Sequence, residues 1–361
     1  MQSNFDTSMM ARAIALAERA VYRCRPNPAV GCVLVKDDQL IGEGSTQAAG
    51  GNHAEVEALN SARAAGNDPA GATAYVSLEP CNHWGRTGPC SEALVEAGIS
   101  RVVVAMQDPN PSVDGSGLTT LRQAGVATQL GILEAEARAV NPGFFKRMHS
   151  AMPWVRLKTA ASLDGRTAMA SGESQWITGA EARADVQRLR ARSGAIITGI
   201  GTVLTDNPKL TVRDNTYDIP WQPLRVVLDS HLQTPADAAV LNQPGDVLLV
   251  HSTAAASETP ESSFAVPRNT LGLDLEAVLL ELGKREINEV LVECGARLAG
   301  SFLQAGLVDE WVLYTAPTLL GSDARPLAHL PLSTMAEQQR FTISDLTRVG
   351  DDVRWTLRPD S

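Results

Sequence analysis

The spacing of apolar residues in the first part of the chain predicts helices that alternate with strands. Apolar residues repeat there at helical spacing in three segments, and continuous apolar runs between turn residues are typical of buried strands. The predicted helices are 9–22, 53–65 and 91–97, and the predicted strands are 30–35, 39–43, 72–78 and 101–106. A hairpin is expected at Lys36-Asp37-Asp38. The alternation indicates a layered α/β domain.

The second half of the chain repeats this alternation after a predicted boundary. Asn141-Pro142-Gly143 interrupts the helical pattern and Met152-Pro153 precedes a new apolar strand, so we expect domains at 1–146 and 147–361. The predicted strands are 155–159, 195–198, 224–229, 247–251, 289–293 and 310–315, and the predicted helices are 180–192, 275–283 and 296–305. Surface loops are expected at 221–223 and 257–267. The sequence therefore predicts a second α/β domain.

Composition and charge exclude several classes of protein. The 361 residues include 31 Lys and Arg against 41 Asp and Glu, a formal net charge of −10, which gives no general attraction for nucleic-acid backbones. The longest apolar run, residues 29–35, is far shorter than the roughly 20 residues that span a bilayer. No secretory pattern opens the sequence, so we expect a cytoplasmic protein without nucleic-acid or membrane partners.

The five cysteines do not indicate a disulfide framework, because their number is odd and no export signal is visible. Cys24, Cys32 and Cys294 lack partner spacing and are expected to be small core residues. Cys81 and Cys90 remain available as thiolates for a metal ion.

A candidate zinc site combines His53 with Cys81 and Cys90. One imidazole and two thiolates fill three positions of a tetrahedral zinc site and leave the fourth for water, whose pKa zinc lowers toward about 7. Glu55 lies too close to His53 in sequence to ligate the same ion, so we expect it to face that water and move its proton. Predicted helix starts at both metal-binding segments favour thiolate over thiol.

Zinc deaminases carry H-x-E followed by P-C-x-x-C. Here H-x-E and P-C occur in that order, but the second cysteine, Cys90, comes later than this pattern requires. Two alternatives are a structural zinc site with His83 as fourth ligand, and two core cysteines beside an unrelated histidine. We favour the catalytic site because both motifs are present in the right order.

Longer motifs in the first half carry a family resemblance: PNPAVG at 26–31, HAE at 53–55, EPCNHWGRTGPC at 79–90, DPNP at 108–111 and GSG at 115–117. They resemble the deaminase half of the RibD family of bifunctional riboflavin-biosynthesis enzymes. The family has a longer loop between its cysteines, which accounts for the departure from C-x-x-C. The resemblance implies that Asn27 and His83 contact substrate. Gly88 stands where the family usually has proline, which loosens the loop without removing a ligand.

The resemblance continues through the second half, at KTAASLDGRTA (158–168), SGESQWIT (171–178), GIGTVLTDNP (199–208), LTVR (210–213) and ECG (293–295). The dinucleotide fingerprint G-x-G-x-x-G fails at Leu204, and the GIG segment fits a tight turn equally well. The resemblance instead implies a dihydrofolate-reductase-like fold that binds NADPH.

The resemblance also implies the contacts of this second site. Cofactor contacts are expected at Ala160, Trp176, Thr202, Asp206, Ser230, Gly295, Ala296, Arg297 and Leu298, and substrate contacts at Ser174, Arg190, Leu210, Arg213 and Glu293. Backbone N–H groups of 295–298, at a helix start, would hold the cofactor's pyrophosphate. The two arginines suit a phosphate because the guanidinium fork matches its oxygens. Glu293, at a strand end, could hold a ribose hydroxyl or assist protonation.

The expected function is therefore zinc-dependent deamination of a diaminopyrimidine ribosyl phosphate followed by NADPH-dependent reduction of its ribose, in a homo-oligomer. A nucleic-acid base deaminase with an accessory domain is one alternative, which the net charge of −10 disfavours. A non-catalytic zinc protein with a nucleotide-sensing domain is another, and it predicts that Glu55→Gln changes no activity.

Overall fold

The computed structural model describes residues 4–85, 88–255 and 260–360. The chain divides into two units, Met1–Ala151 and Met152–Ser361, and each is described by itself. The first unit ends just after helix α6 (Pro142–Ser150), and this helix spans the expected boundary between residues 146 and 147.

The first unit is built on a five-stranded sheet in the order β2-β1-β3-β4-β5. Its elements are α1 Asn4–Ala20, β1 Gly31–Lys36, β2 Gln39–Ser45, α2 Ala54–Ala64, β3 Thr73–Val76, α3 Cys90–Glu96, β4 Arg101–Val104, α4 Ser116–Gln123, β5 Ala127–Leu130, α5 Glu134–Val140 and α6. Strand β1 is antiparallel to β2 and β3, whereas β3, β4 and β5 run parallel.

Alternation along the strands gives this sheet two buried faces. In β1, Val33 and Val35 pack with Met10 of α1, while Cys32 and Leu34 pack in a separate cluster with residues of α2 and α3. Successive strand side chains point to opposite faces, so the run of apolar residues requires helices on both sides. The result is a three-layer α/β/α unit.

The second unit contains a nine-stranded sheet in the order β11-β10-β9-β8-β14-β6-β15-β18-β17. Its elements are β6 Trp154–Ser162, β7 Arg166–Ala168, α7 Ala180–Arg192, β8 Ala195–Gly199, α8 Ile200–Asp206, β9 Leu224–Leu228, β10 Val247–Ser252, β11 Ser263–Val266, β12 Arg268–Asn269, β13 Gly272–Leu273, α9 Leu275–Lys284, β14 Glu289–Glu293, α10 Ala296–Gln304, β15 Glu310–Ala316, β16 Arg325–Pro326, β17 Phe341–Val349 and β18 Asp352–Pro359.

Seven strands of this sheet, β11 through β15 in sheet order, are parallel, and β18 and β17 extend it in antiparallel fashion. In β14, Val290 and Val292 pack in one core cluster and Leu291 in another on the opposite face. Because the carboxyl ends of parallel strands meet at one edge, polar residues that follow these strands are brought together there. The α/β prediction is confirmed for both units.

The structure differs from the predicted elements in several places. The predicted loop 257–267 contains strand β11, Ser263–Val266, paired to β10, while Ser257 lies outside the described residues. Helix α1 begins at Asn4 rather than at Met9. Of the segment considered as a turn at 199–201, Gly199 is the N-cap of α8, and Ile200 and Gly201 are the first two residues of that helix. Among the residues that the structure describes, no helix combines the length and apolarity needed to cross a membrane.

Candidate functional sites

Two helix starts and one loop bring His53, Cys81 and Cys90 together. His53 is the extended N-cap residue of α2, Cys90 is the first residue of α3, and Cys81 lies in the loop after β3. The Nδ1 atom of His53 lies 3.5 Å from Sγ of Cys81 and 3.4 Å from Sγ of Cys90. The structure therefore assembles the predicted three-residue cluster.

The spacing of these atoms fits a zinc ion. A zinc ion bonds to sulfur at about 2.3 Å and to nitrogen at about 2.0–2.1 Å. At a tetrahedral angle, these bond lengths place a sulfur ligand and a nitrogen ligand about 3.5 Å apart. All three candidate ligand atoms lie within 4.8 Å of one another. One nitrogen and two sulfurs are the donors of an open catalytic zinc site, with room for a fourth ligand.

The protein environment prepares one of the thiols for a metal. Hydrogen bonding from Cys90 is the largest influence on Cys81, and with His53 it lowers the pKa of Cys81 to about 4. The backbone N–H of Cys90, at the start of α3, donates to Sγ of Cys81 at 3.4 Å. The same contact with Cys81, followed by burial, raises the pKa of Cys90.

Glu55 lies in the first turn of α2 and is 3% exposed. Burial, followed by the charge of Cys81, raises the pKa of Glu55 to about 7. A carboxyl group with this pKa exchanges protons readily near neutral pH. Glu55 therefore has the placement and the acidity of a proton-transfer group.

The other predicted residues of this site lie outside the cluster. Asn27 is half-buried, and its backbone N–H donates to the carbonyl of Cys24 in a turn. His83 is exposed, and no described hydrogen bond joins it or Asn27 to the three ligands. Among the described residues, the candidate ligand cluster contains His53, Cys81 and Cys90 and does not include His83. Arg86 and Thr87 of the same motif lie outside the described residues.

A cavity of about 1330 Å³ opens in the second unit. Its wall includes every residue predicted for the reductase site: Ala160, Ser174, Trp176, Arg190, Thr202, Asp206, Leu210, Arg213, Ser230, Glu293, Gly295, Ala296, Arg297 and Leu298. Single-ligand pockets usually enclose about 300–1,000 Å³, so this cavity has room for a cofactor and a substrate together.

The N-terminus of α10 suits the phosphates of a dinucleotide. Gly295 is the N-cap of this nine-residue helix, with open space beside it, and the next three residues also line the cavity. Free N–H groups at a helix start bind anions. Elsewhere in the lining, the hydroxyl of Ser174 donates to Asp206 at 3.4 Å. These features fit NADPH.

Two arginines at the cavity differ in burial and in the contacts of their guanidinium groups. Arg190 donates to Glu293 through Nε at 2.6 Å and Nη2 at 2.9 Å, and its Nη1 donates to the Thr211 carbonyl at 3.1 Å. Arg213 is exposed, and its backbone N–H donates to the Gln187 side chain at 2.8 Å. Partial burial, then repulsion from Arg190, lowers the pKa of Arg213. Arg213 therefore has the freer guanidinium for an anionic ligand.

Three residues that line the cavity of the second unit were not predicted as site residues: Lys158, Arg183 and Cys294. Lys158 lines the cavity from the middle of β6, and burial lowers its pKa. The Arg183 guanidinium lies 4.5 Å from the ring centroid of Trp176 and donates to the Thr178 carbonyl at 2.7 Å. Cys294, expected in the core, is half-buried and lines the same cavity. Only the position of Lys158 beside the ends of predicted strands could have marked it in advance.

Comparison with known proteins agrees with this division of the chain. Residues 3–106 match the family model of the cytidine and deoxycytidylate deaminase zinc-binding region, and residues 153–354 match that of the RibD C-terminal domain. The riboflavin biosynthesis protein RibD of Escherichia coli is 49% identical over 96% of this chain and 98% of that protein. RibD of Haemophilus influenzae is 45% identical over 99% of this chain and 98% of that protein.

Solved structures match over nearly the whole length. Acinetobacter baumannii RibD has 46% identity and a TM-score of 0.90, with 99% of both chains covered. A Thermotoga maritima protein described as a diaminohydroxyphosphoribosylaminopyrimidine deaminase/5-amino-6-(5-phosphoribosylamino)uracil reductase has 33% identity and a TM-score of 0.89, with the same coverage. The predicted resemblance is thereby confirmed, and the chain belongs to the RibD family of bifunctional deaminase/reductase enzymes of riboflavin biosynthesis.

Proposed function

We propose that the first unit deaminates 2,5-diamino-6-ribosylamino-4(3H)-pyrimidinone 5′-phosphate and that the second unit reduces the deaminated product with NADPH to the ribitylamino compound. The observation that carries this proposal is the convergence of His53, Cys81 and Cys90 at zinc-ligand spacing beside buried Glu55. The pair of activities in the name of the Thermotoga maritima protein supports the choice of substrate.

In the deaminase site, His53, Cys81 and Cys90 are assigned as zinc ligands. Zinc held there would supply water activated for attack at neutral pH. Glu55 takes one proton from the attacking water and passes it to the ring nitrogen, and it then carries the remaining hydroxyl proton to the amino group, which leaves as ammonia when the C–N bond breaks. Its burial beside the ligands excludes bulk water from this transfer. Asn27 and His83 are assigned to the pyrimidine substrate.

In the reductase site, NADPH would supply the hydride for C1′ of the ribosylamino group. The N–H groups at the start of α10, from Gly295 to Leu298, hold the cofactor diphosphate. Trp176, Thr202, Asp206, Ser230 and Ala160 complete the cofactor contacts, a set that lines the cavity.

The substrate side of the cavity is assigned by charge. Arg213, whose guanidinium is exposed, binds the 5′-phosphate. Arg190 outweighs the effect of burial and lowers the pKa of Glu293, so Glu293 accepts hydrogen bonds from ribose hydroxyls as a carboxylate. Ser174 and Leu210 contact the remainder of the substrate. The ion pair between Arg190 and Glu293 supports a joint role for the two residues in orienting the sugar.

We further propose that the protein assembles as a homo-oligomer. The edge strand β17 is largely exposed and carries Ile343 and Leu346 at 53% and 55% exposure. An unpaired strand edge can pair with another chain, and exposed apolar side chains favour such a contact. Light scattering of the purified chain would test this proposal, and a strictly monomeric mass would contradict it.

The substrate assignment is tested by incubating zinc-loaded protein with the diaminopyrimidine ribosyl phosphate, with and without NADPH, and identifying products by mass spectrometry. We expect the deaminated product without NADPH, and the deaminated and reduced product with it. Deamination alone in both reactions would contradict the reductase assignment. No product in either reaction, from protein shown to contain zinc, would overturn the substrate.

A further inference from the structure

Glu79 is a buried carboxylate two residues before Cys81, with 3% of its surface exposed. It accepts three backbone hydrogen bonds: Oε2 from the N–H groups of Asp108 at 3.2 Å and Gly115 at 3.1 Å, and Oε1 from that of Leu118 at 3.0 Å. A carboxylate is an acceptor-only group with about four lone-pair sites, which makes it suited to three converging N–H donors. Glu79 therefore binds one continuous stretch of chain.

That stretch, residues 108–118, follows β4 and leads into α4; we refer to it as the 108–118 segment. Gly115, the N-cap of α4, has a left-handed φ of 85° and no side chain to accept from the helix. Glu79 supplies that acceptor from a distant part of the sequence, because it binds the N–H groups of both Gly115 and Leu118.

A close backbone approach fixes the same two pieces of chain against each other. A Cβ atom on Gly117 would lie 2.0 Å from the carbonyl oxygen of Pro80 and 3.2 Å from Oε1 of Glu79. The neighbour is backbone, so only glycine allows the 108–118 segment to pack this closely against the turn that carries Cys81.

Two sets of contacts hold the Cys81 turn, the part of the loop after β3 that contains residues 79–82. On one side, the backbone N–H of Ser91 donates to the Cys81 carbonyl at 3.2 Å and that of Cys90 donates to Sγ of Cys81. On the other side, Glu79 and Pro80 hold the 108–118 segment. Without the second attachment, Cys81 keeps its contacts with α3, and the backbone N–H of Glu79 still donates to the Met106 carbonyl at 3.0 Å, but the 108–118 segment no longer holds the loop from that side.

We propose that Glu79 is a positioning residue for deamination, whose carboxylate fixes the 108–118 segment against the Cys81 turn so that this segment forms a rigid wall of the deaminase substrate site. The inference rests on the proposed role of Cys81 as a zinc ligand. It assigns Glu79 no contact with the reacting atoms. Its consequence is that metal retention and substrate binding depend on the same buried carboxylate.

The test uses the full-length zinc-loaded protein and the variant Glu79→Gln, in which one acceptor oxygen is replaced by an NH₂ group that faces N–H donors. We expect a chelator to remove zinc about tenfold to a hundredfold faster than from wild type, the range typical of groups that support metal ligands. We expect the KM of deamination to rise in the same range, with a smaller change in kcat. Glu96→Gln, an exposed glutamate of α3, is the matched control and should behave as wild type.

Reductase kinetics in the same preparations report whether the second unit is intact. Wild-type zinc release and wild-type KM in Glu79→Gln would overturn the inference, as would a fall in kcat alone with unchanged KM, which indicates only a smaller folded fraction. If Glu79→Gln does not yield folded protein, Glu79→Asp, which keeps the acceptor oxygens but shortens their reach to the three N–H donors, is judged by the same criteria. Zinc release requires no substrate, so faster release with inactive wild type would support the inference and contradict the proposed substrate.

Discussion

Arg190 and Glu293 form a two-pronged ion pair at the wall of the reductase cavity, with N–O distances of 2.6 and 2.9 Å. Their side chains are only 11% and 12% exposed. The pair occupies both donors that Arg190 would need to grip a phosphate in the same way. Sequence reasoning treated the two residues as separate substrate contacts, whereas the structure makes them one unit. Of these two arginines, Arg213 is therefore the one that we propose for the phosphate.

The two arginines should respond differently to substitution. Arg190→Gln leaves Glu293 buried without its partner, and we expect a loss of about 3–5 kcal/mol in the free energy of unfolding. Arg213→Gln removes an exposed charge, so that free energy should change by less than about 0.5 kcal/mol. In Arg213→Gln, the KM of the reductase for its substrate should rise about tenfold or more, because a charge-assisted contact to the phosphate is lost. Denaturant unfolding and steady-state kinetics measure both effects. Equal destabilisation by the two substitutions would contradict this division.

Glu55→Gln should strongly slow deamination without removing the metal. The amide keeps the size of the side chain but cannot take a proton, so we expect kcat to fall by about a hundredfold or more. Zinc content and reductase activity should stay at wild-type levels. Mass spectrometric rates and metal analysis provide the measurements. Glu57→Gln on the same helix is the control, since Glu57 accepts from Asn52 rather than lying in the ligand cluster. Retained deamination in Glu55→Gln would support the non-catalytic zinc protein.

Arg183→Ala should weaken NADPH binding although Arg183 is not among the predicted cofactor contacts. Trp176 is 69% exposed at the cavity, and the stacked Arg183 guanidinium restricts its orientation. An exposed cation–π contact is worth about 0.5–1 kcal/mol, which corresponds to a rise of about two- to fivefold in the Kd for NADPH. Titration followed by tryptophan fluorescence measures it. Arg183→Lys keeps the charge and should fall between Arg183→Ala and wild type; an unchanged Kd in Arg183→Ala would exclude this role.

The α/β class and the chemistry-bearing residues were predictable because their signals are local. Apolar periodicity marked most strands, and the short motifs around His53 and Cys81 placed ligand types at helix and loop positions. The C-terminal hairpin of β17 and β18 was not predicted, because β17 is largely exposed and shows no buried alternation. Glu79 and Arg183 escaped notice for another reason. Glu79 contacts Asp108, and Arg183 contacts Trp176. These contacts form only when the chain folds, so no pattern in the adjacent sequence marks them.

A buried ion cluster predicts how the second unit responds to acid. Glu289 accepts from Arg192 at 2.8 and 3.0 Å and from Arg156 at 2.9 Å, and Arg156 also pairs with Glu310. Burial acts to raise the pKa of Glu289, but the two arginines outweigh it and lower the pKa from 4.5 to about 2. A carboxyl group with a depressed folded pKa stabilises the protein above its unfolded pKa and loses that contribution as pH falls toward the folded value.

The stability of the second unit should therefore decline between about pH 4.5 and pH 2, by about 3 kcal/mol from Glu289 alone. Tryptophan fluorescence follows this unit, because every tryptophan except Trp84 lies within it. Glu289→Gln is less stable than wild type at neutral pH, and the difference between them should shrink as the pH passes through this window. The exposed Glu276→Gln should keep the wild-type pH dependence. Parallel curves for wild type and Glu289→Gln would show that another group dominates the acid response, since only titration of Glu289 makes the two curves converge.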